Sequence, residues 1–290
     1  MMNNKILVTG AGGQVGMEFR SVAPRFADYD FVFLSKNELP IEKKESLDLA
    51  FQTHQPAVCI NCAAYTAVDK AEEEKEKSFL INGQAVGLLA AVCLTYHTQL
   101  IHLSTDYVLD GRSTRPIAEN EVPSPVNQYG ASKLLGEELA AKSNPGTIII
   151  RTSWVYSEFG QNFVKTMIRL MGQRDLINVV NDQIGSPTWA ADLAEAIMKI
   201  ILSGKFIPGI YHFSNSGEIS WFDFALAIRD QIGSKCRISP ITSEEYPTAA
   251  KRPAYSLLDK KKIMETYDIK ISDWKKSLAS CIGRILKQKV

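Results

Sequence analysis

The sequence predicts an α/β fold: a Rossmann-type doubly wound parallel sheet with a smaller C-terminal substrate-binding lobe. Two observations carry that expectation. Runs of nearly continuous Val, Ile and Leu alternate with helical stretches through the first half of the chain, as strands buried on both faces and joined by helical crossovers require. A glycine-rich segment, "TGAGGQVG", follows the first of these runs directly, where a nucleotide-binding βαβ unit places its phosphate turn.

The elements follow in order. "KILVTG" reads as a strand and "VGMEFRSVA" as a helix; "FVFLS" is the second strand and "EKKESLDLAFQTH" the second helix. "AVCINCA" is a third strand. A long helix then covers much of residues 71–96, with apolar Phe79, Val86, Leu89, Ala90 and Cys93. "LIHLS", "ASKLLGEELAA" and "TIIIRTS" continue the alternation as strand, helix and strand. After Ser153 the pattern loosens. "VVNDQIGSPTWAADLAEAIMKIIL" reads as strand, loop and helix, and "IYHFS" and "WFDFALAIRDQI" as a short strand and a helix. The Pro-punctuated "ISPITSEEYPTAAKRPAYSLLD" precedes a last helix from about Trp274. The expected division is a dinucleotide-binding domain over 1–153 and a mainly substrate-binding lobe over 154–290, with some elements of about 175–230 returning to the first domain.

The chain has 290 residues, 45% hydrophobic and 22% charged, the ordinary range for a packed globular protein. Its 33 basic and 32 acidic residues leave a net charge of +1, which provides no broad basic field for nucleic acid. The N-terminus, "MMNNKILVTG", lacks the apolar region and cleavage site of a signal peptide. No run of 18 apolar residues occurs, so no membrane span is expected. Five cysteines, an odd number scattered mostly through apolar segments, suit reduced thiols and a cytoplasmic location. Cys59 and Cys62 form a C-x-x-C without a second Cys pair or a His cluster. Buried thiols are the reading, and no metal site is expected.

Gly10, Gly13 and Gly16 give G-x-x-G-x-x-G, with Gln14 and Val15 at the start of the helix. The glycines let the backbone turn tightly against a pyrophosphate, and the helix N-terminus offers free N–H groups and a positive dipole end. At the end of the second strand, Ser35 and Lys36 stand where an acid would bind a ribose 2′-hydroxyl. A basic residue there favours a 2′-phosphate, so NADPH is the expected cofactor with NADH still open; Lys36 is alternatively a solvated lysine.

"YGASK" places Tyr129 and Lys133 four residues apart on one helical face. A neighbouring ammonium lowers a phenol's pKa and makes it a usable acid at neutral pH, and the same amine can bond a cofactor ribose. The preceding strand ends in "STDYV", with Thr105 beside Asp106 and Tyr107.

Taken together, the glycine-rich turn, "STDYV" and Tyr-x-x-x-Lys resemble the extended short-chain dehydrogenase/reductase superfamily. More narrowly, "NCAAYTAVDKAE", "HLSTDYVLDG", "SPVNQYGASKLLGE", "IIRTSWVYSEFGQNFVKTM", "NDQIGSPT" and "RPAYSLLD" resemble the dTDP-4-dehydrorhamnose reductases. The resemblance runs from about Lys5 to near the C-terminus. It implies NAD(P)H-dependent reduction of the 4-keto group of dTDP-4-dehydro-L-rhamnose to dTDP-L-rhamnose, a precursor of bacterial surface polysaccharide. It implies that Thr105 polarises the keto oxygen, Tyr129 protonates it and Lys133 binds the ribose. Ala64, Tyr65 and Thr66 match the loop beside the nicotinamide. Asp106, Tyr107, Trp154 and Asn162 match sugar-side positions; for Trp154 a core position is the alternative. A homodimer is implied by the same family.

Two features depart from the family pattern. Pro40 stands in "LPI" where relatives have an acid, and Tyr255 stands where many have Asn. Some relatives bind Mg2+ through interface glutamates; Glu18 matches one and Ala191 and Asp192 fall near another, but the sequence supports no dense ligand cluster. Rival readings are a nucleotide-sugar 4,6-dehydratase, a 4-epimerase or other nucleotide-sugar reductase, and a dinucleotide-binding regulatory subunit like that of methionine adenosyltransferase. A dehydratase needs a glutamate after the Asp; here Tyr107 follows Asp106.

Overall fold

The computed structural model describes residues 4–287. Its core is a six-stranded sheet ordered β2-β1-β3-β4-β5-β10. The strands are β1 (Lys5–Thr9), β2 (Asp30–Leu34), β3 (Val58–Asn61), β4 (Gln99–Thr105), β5 (Ile148–Thr152) and β10 (Gly209–Phe213), and every pairing among them is parallel. From β1 the chain steps outward to β2, then crosses back to β3 on the other side of β1. That reversal opens a crevice beyond the carboxyl ends of β1 and β3, the place where open parallel sheets bind ligands.

The continuous apolar runs of the sequence are explained by two covered faces. Leu7, Cys59 and Leu100 pack against α2 (Lys44–His54), α4 (Ala85–Thr95) and α5 (Gln128–Ser143). Ile6, Val8, Ile60 and Ile101 pack on the opposite face against α1 (Gln14–Val22) and α7 (Ala190–Leu202).

The long helix differs in one respect from the expected run over 71–96. After a single 3-10 turn at Lys70–Glu72, α3 (Lys75–Phe79) passes through a π-helical turn, Leu80–Gln84, into α4. Such turns arise where the backbone ladder gains a residue, often beside functional sites. Here the turn carries Asn82, whose side chain accepts from Tyr65 N (2.8 Å) and donates to Tyr65 O (2.9 Å) and Ser132 Oγ (2.9 Å). The continuous helix Lys75–Thr95 is long and apolar enough to cross a membrane by length and composition alone, and more than half of it is buried within the protein.

The later half builds a second hydrophobic core. β6 (Val155–Tyr156), α6 (Phe163–Met171), β7 (Leu176–Val180), β9 (Thr188–Trp189), α8 (Trp221–Gln231) and α10 (Trp274–Lys287) contribute to it, with β8 (Ile184–Gly185) and β11 (Ile219–Ser220) paired alongside. Of the segment 175–230, α7 and β10 join the central sheet, whereas β7 and α8 lie in the second core. Two elements of the Pro-punctuated stretch and its sequel were not anticipated: β12 (Arg237–Ile241), which pairs with β7, and α9 (Lys261–Tyr267), which packs on the sheet core. β12 contains Pro240, which is tolerated because the two-stranded sheet is all edge. All five cysteines are free thiols.

Candidate active site

A cleft of about 760 Å3 lies over the carboxyl ends of β1, β3 and β4 and reaches the second core. Of the residues singled out from sequence, it gathers Gly10, Gly13, Gln14, Val15 and Lys36, then Ala64, Tyr65 and Thr66, then Thr105, Asp106, Tyr107, Tyr129, Lys133 and Trp154. Gly16, Ser35 and Asn162 do not line it.

The phosphate turn forms because its glycines remove steric bars. Gly10 has φ +61°, and a Cβ there would fall 2.6 Å from Ala63 N. A Cβ at Gly16 would meet Ala11 Cα at 2.6 Å, so Gly16 sets how closely α1 packs on the turn. At Gly12 a Cβ would meet nothing within 4 Å, which leaves an open cradle in front of the first N–H groups of α1. This cradle fits a dinucleotide pyrophosphate. Farther along the cleft, Leu39 and Ile41 offer an apolar wall and exposed Lys36 a positive charge. Ser35 stays outside because it closes a turn, its N–H donating to Glu38 Oε2 at 2.8 Å.

Thr105 ends β4 and caps a single 3-10 turn, Asp106–Val108, by accepting from Tyr107 N at 3.2 Å. Its hydroxyl donates to Asp106 Oδ1 at 3.0 Å. Asn127 caps α5 by accepting from Gly130 N at 2.7 Å, which sets the first turn of that helix, with Tyr129, over the strand ends. The Tyr107 and Tyr129 rings meet edge to face with centroids 5.6 Å apart.

The Tyr-x-x-x-Lys spacing does not lower the Tyr129 pKa as expected. Burial raises the Tyr129 phenol to about 12, with a hydrogen bond to Thr105 opposing and the Asp106 charge adding. Lys133 does not offset this, because its ammonium donates to Leu103 O at 2.6 Å and approaches His102 Nε2 at 3.4 Å. Burial in turn lowers Lys133 to about 8.

Burial also raises Asp106 from 3.8 to about 6, hydrogen bonds from Ser256 and Thr105 offsetting only part of the cost. The folded chain therefore holds this proton more tightly than the unfolded one, and stability falls as pH rises from about 4 to about 6. Asp106→Asn should be more stable than the parent at pH 7.5, on the order of 2 kcal/mol. The difference should vanish below pH 4. Urea midpoints at the two pH values check this; equal midpoints at pH 7.5 would show that Asp106 is not strained by its charge.

Beneath the strand ends lies a group that sequence reasoning left unassigned. Ser104 Oγ donates to Glu137 Oε1 at 2.5 Å, and Glu137 takes a two-pronged ion pair from Arg151 of β5, Nε to Oε1 at 2.9 Å and Nη2 to Oε2 at 2.7 Å. All three residues are buried.

Trp154 lies in the cleft wall in a left-handed conformation, φ +48°. Its ring stacks on Trp221 with centroids 3.8 Å apart, and Trp221 leans on Phe163. Trp221 was missed because its partner is 67 positions away in sequence (221 − 154). Asn162 has another place: it caps α6 by accepting from Lys165 N and donates to Gln14 Oε1 at 2.9 Å, tying the second core to the phosphate turn. Arg252 and Asp69 join two other segments distant in sequence at 2.7 Å. Neither partner of that pair could be read from spacing alone.

Glu18, which matched a metal-binding position, is fully buried; it accepts from Ser157 Oγ at 2.6 Å and faces Arg284 at 3.6 Å, which also pairs with Glu158. Asp192 is engaged by Asn215 and Ser277. Glu18 Oε2 has no hydrogen-bond partner, and burial raises the Glu18 pKa with Arg284 opposing only in part; the described residues hold no group of three or more His, Cys, Asp and Glu placed for a metal.

A parallel sheet with a glycine turn at its switch point, and a Thr, Tyr and Lys gathered at the strand ends beside it, define a dinucleotide-dependent oxidoreductase of the short-chain dehydrogenase/reductase type. Residues 4–287 match the family described as RmlD substrate binding domain. The chain belongs to that family, the dTDP-4-dehydrorhamnose reductases. It is 43% identical to the spore coat polysaccharide biosynthesis protein SpsK of Bacillus subtilis, over 94% of this chain and 95% of that protein. It is 41% identical to the dTDP-4-dehydrorhamnose reductase of Aggregatibacter actinomycetemcomitans, over 94% of this chain and 97% of that one. The crystal structure of dTDP-4-dehydrorhamnose reductase from Bacillus anthracis in complex with NADP superposes with a TM-score of 0.93 at 37% identity, covering 98% of this chain and 100% of that one.

Proposed function

We propose that this protein reduces the 4-keto group of dTDP-4-dehydro-L-rhamnose with NADPH, giving dTDP-L-rhamnose. The observation that carries the reading is the convergence of Thr105, Tyr129 and Lys133 in the cleft that the phosphate turn opens. Bound along that cleft, the reduced nicotinamide supplies the hydride. Gly10, Gly13, Gln14, Val15 and Lys36 hold the phosphates, Ala64, Tyr65 and Thr66 flank the nicotinamide side, and Lys133 meets the ribose. Tyr129 gives its proton to the carbonyl oxygen as C4 becomes a carbinol, and Thr105 donates a hydrogen bond to the same oxygen. Asp106, Tyr107 and Trp154 contact the sugar, with Trp221 backing the Trp154 ring. Asn162, which also holds Gln14, stands near the sugar side.

Elimination chemistry is disfavoured because Tyr107, not a carboxylate, follows Asp106 and turns its ring on Tyr129. NADPH oxidation followed optically with the dTDP-4-keto-6-deoxy sugar tests the reductase directly. Folded protein that binds NADPH but consumes none on adding the sugar would instead favour a regulatory dinucleotide-binding role.

Cofactor choice has its own test. Lys36→Ala should raise KM for NADPH about tenfold, the value of one charge-assisted contact, and leave KM for NADH nearly unchanged. Equal effects on both cofactors would return Lys36 to the role of a solvated lysine.

In this reading residues 1–153 with α7 and β10 bind the cofactor, and residues 154–290 mainly hold the sugar nucleotide. The free cysteines agree with a cytoplasmic location. A homodimer is part of the same proposal, and light scattering at working concentration decides it.

A further inference from the structure

Three residues on neighbouring strands form a buried polar row under the cleft. Thr9 of β1 pairs in register with Asn61 of β3, and Asn61 pairs in register with His102 of β4. All three are fully buried. Thr9 Oγ1 donates to Asn61 Oδ1 at 2.6 Å, and Ala63 N donates to the same oxygen at 3.1 Å. Asn61 Nδ2 lies 2.9 Å from His102 Nδ1, and His102 Nε2 lies 3.4 Å from Lys133 Nζ.

The donors in this row leave one arrangement. A backbone N–H can only donate, so Ala63 fixes the Asn61 amide with its oxygen toward the turn and its NH2 toward His102. His102 Nδ1 must then accept. Burial, with Lys133 beside it, holds His102 well below its ordinary pKa of 6.5, so the ring is neutral and carries one proton. That proton sits on Nε2, and the Nε2–H points at Lys133. An ammonium has only donors and opposes this N–H, whereas a free amine can accept from it.

We propose that His102 and Asn61 are positioning residues that set the protonation of Lys133 by presenting it with a fixed N–H donor. The groups facing Lys133 are Leu103 O, which accepts from it at 2.6 Å, and His102, both from β4, Cys62 from the turn after β3 and Glu137 from its own helix; Glu137 is held by Arg151 and Ser104. Burial lowers Lys133 to about 8, with Glu137 and Cys62 opposing, and the Nε2–H acts in the direction of burial. A lysine so held can take up and return a proton in the cleft that it lines with Tyr129, which its ordinary ammonium could not do. This role rests on the placement of Lys133 at the reacting end of the cofactor proposed above.

The test is made on the whole chain without substrate, so its failure is separate from failure of the reductase reading. Long-range proton–nitrogen spectra of labelled histidine report the tautomer of His102, assigned with a His102→Phe sample. Labelled lysine reports the titration of Lys133, assigned with Lys133→Met. The parent chain should show the Nε2–H tautomer and a Lys133 midpoint well below that of a free lysine. Asn61→Asp keeps the acceptor for Thr9 and Ala63 but replaces the NH2 by an oxygen. It should flip His102 to the Nδ1–H tautomer and move the Lys133 midpoint up by about one pH unit, a tenfold change in proton affinity. An Nδ1–H tautomer in the parent chain overturns the proposal and needs no variant. A lysine shift without a tautomer flip assigns the effect to the added charge and overturns it too, as does a flip that leaves Lys133 unmoved.

Discussion

Tyr129→Phe is expected to lower kcat by about 10²–10⁴-fold, the range for losing a positioned general acid, while the affinity for NADPH stays within about twofold. The phenol is raised to about 12, so it is fully protonated through the neutral range. The loss should therefore be the same at every pH between about 6 and 9. Phenylalanine keeps the ring that meets Tyr107 edge to face, so the fold is not at risk and the comparison reads the hydroxyl alone. Stopped-flow hydride transfer and fluorescence titration of NADPH measure the two quantities. Near-full activity in the Phe variant would move the proton source elsewhere, with Asp106 next in line because it already hydrogen-bonds Thr105.

Glu137→Gln should cost about 3–5 kcal/mol of stability, the penalty for stranding a buried charge. The side chains of Arg151 and Glu137 are 1% and 4% exposed, with N and O 2.7 Å apart. Glutamine keeps the shape but leaves the guanidinium uncompensated in a low-dielectric interior. Arg151 Nη1 already lacks a hydrogen-bond partner, so the site has nothing in reserve. Urea denaturation measures the loss, and a change below about 1 kcal/mol would mean that the pair contributes no net stability. Some activity should go with it. Ser104, which bonds Glu137, directly precedes Thr105 and fixes the end of β4.

Much of this site was legible because its residues lie where local rules act. Gly10 and Gly16 are demanded by close backbone approaches within a short turn, and the turn sits at the end of an apolar strand. Thr105 ends another strand, and Tyr129 and Lys133 share a face of one helix. Asn162 also has a local role, since a polar side chain just before a helix can cap it, and here it caps α6. The π turn at Leu80–Gln84 was invisible, because apolar periodicity over the long helix is nearly the same with or without one extra residue. β12 was hidden by Pro240, which argues against a strand until its edge position is known.

The sequence by itself determined the order of strands and helices, the phosphate turn and the identity of the Thr, Tyr and Lys, since each depends on neighbours a few residues away. Only the tertiary structure decided what those groups experience. Burial, not spacing, sets the Tyr129 and Lys133 pKa values. Parallel register, not composition, lines up Thr9, Asn61 and His102 across three strands. The stack of Trp154 on Trp221, the Arg252–Asp69 tie and the Arg151–Glu137 pair likewise join segments that meet only when the chain is folded. Desolvation and hydrogen-bond direction are properties of the packed interior, and no pattern of residue types along the chain carries them.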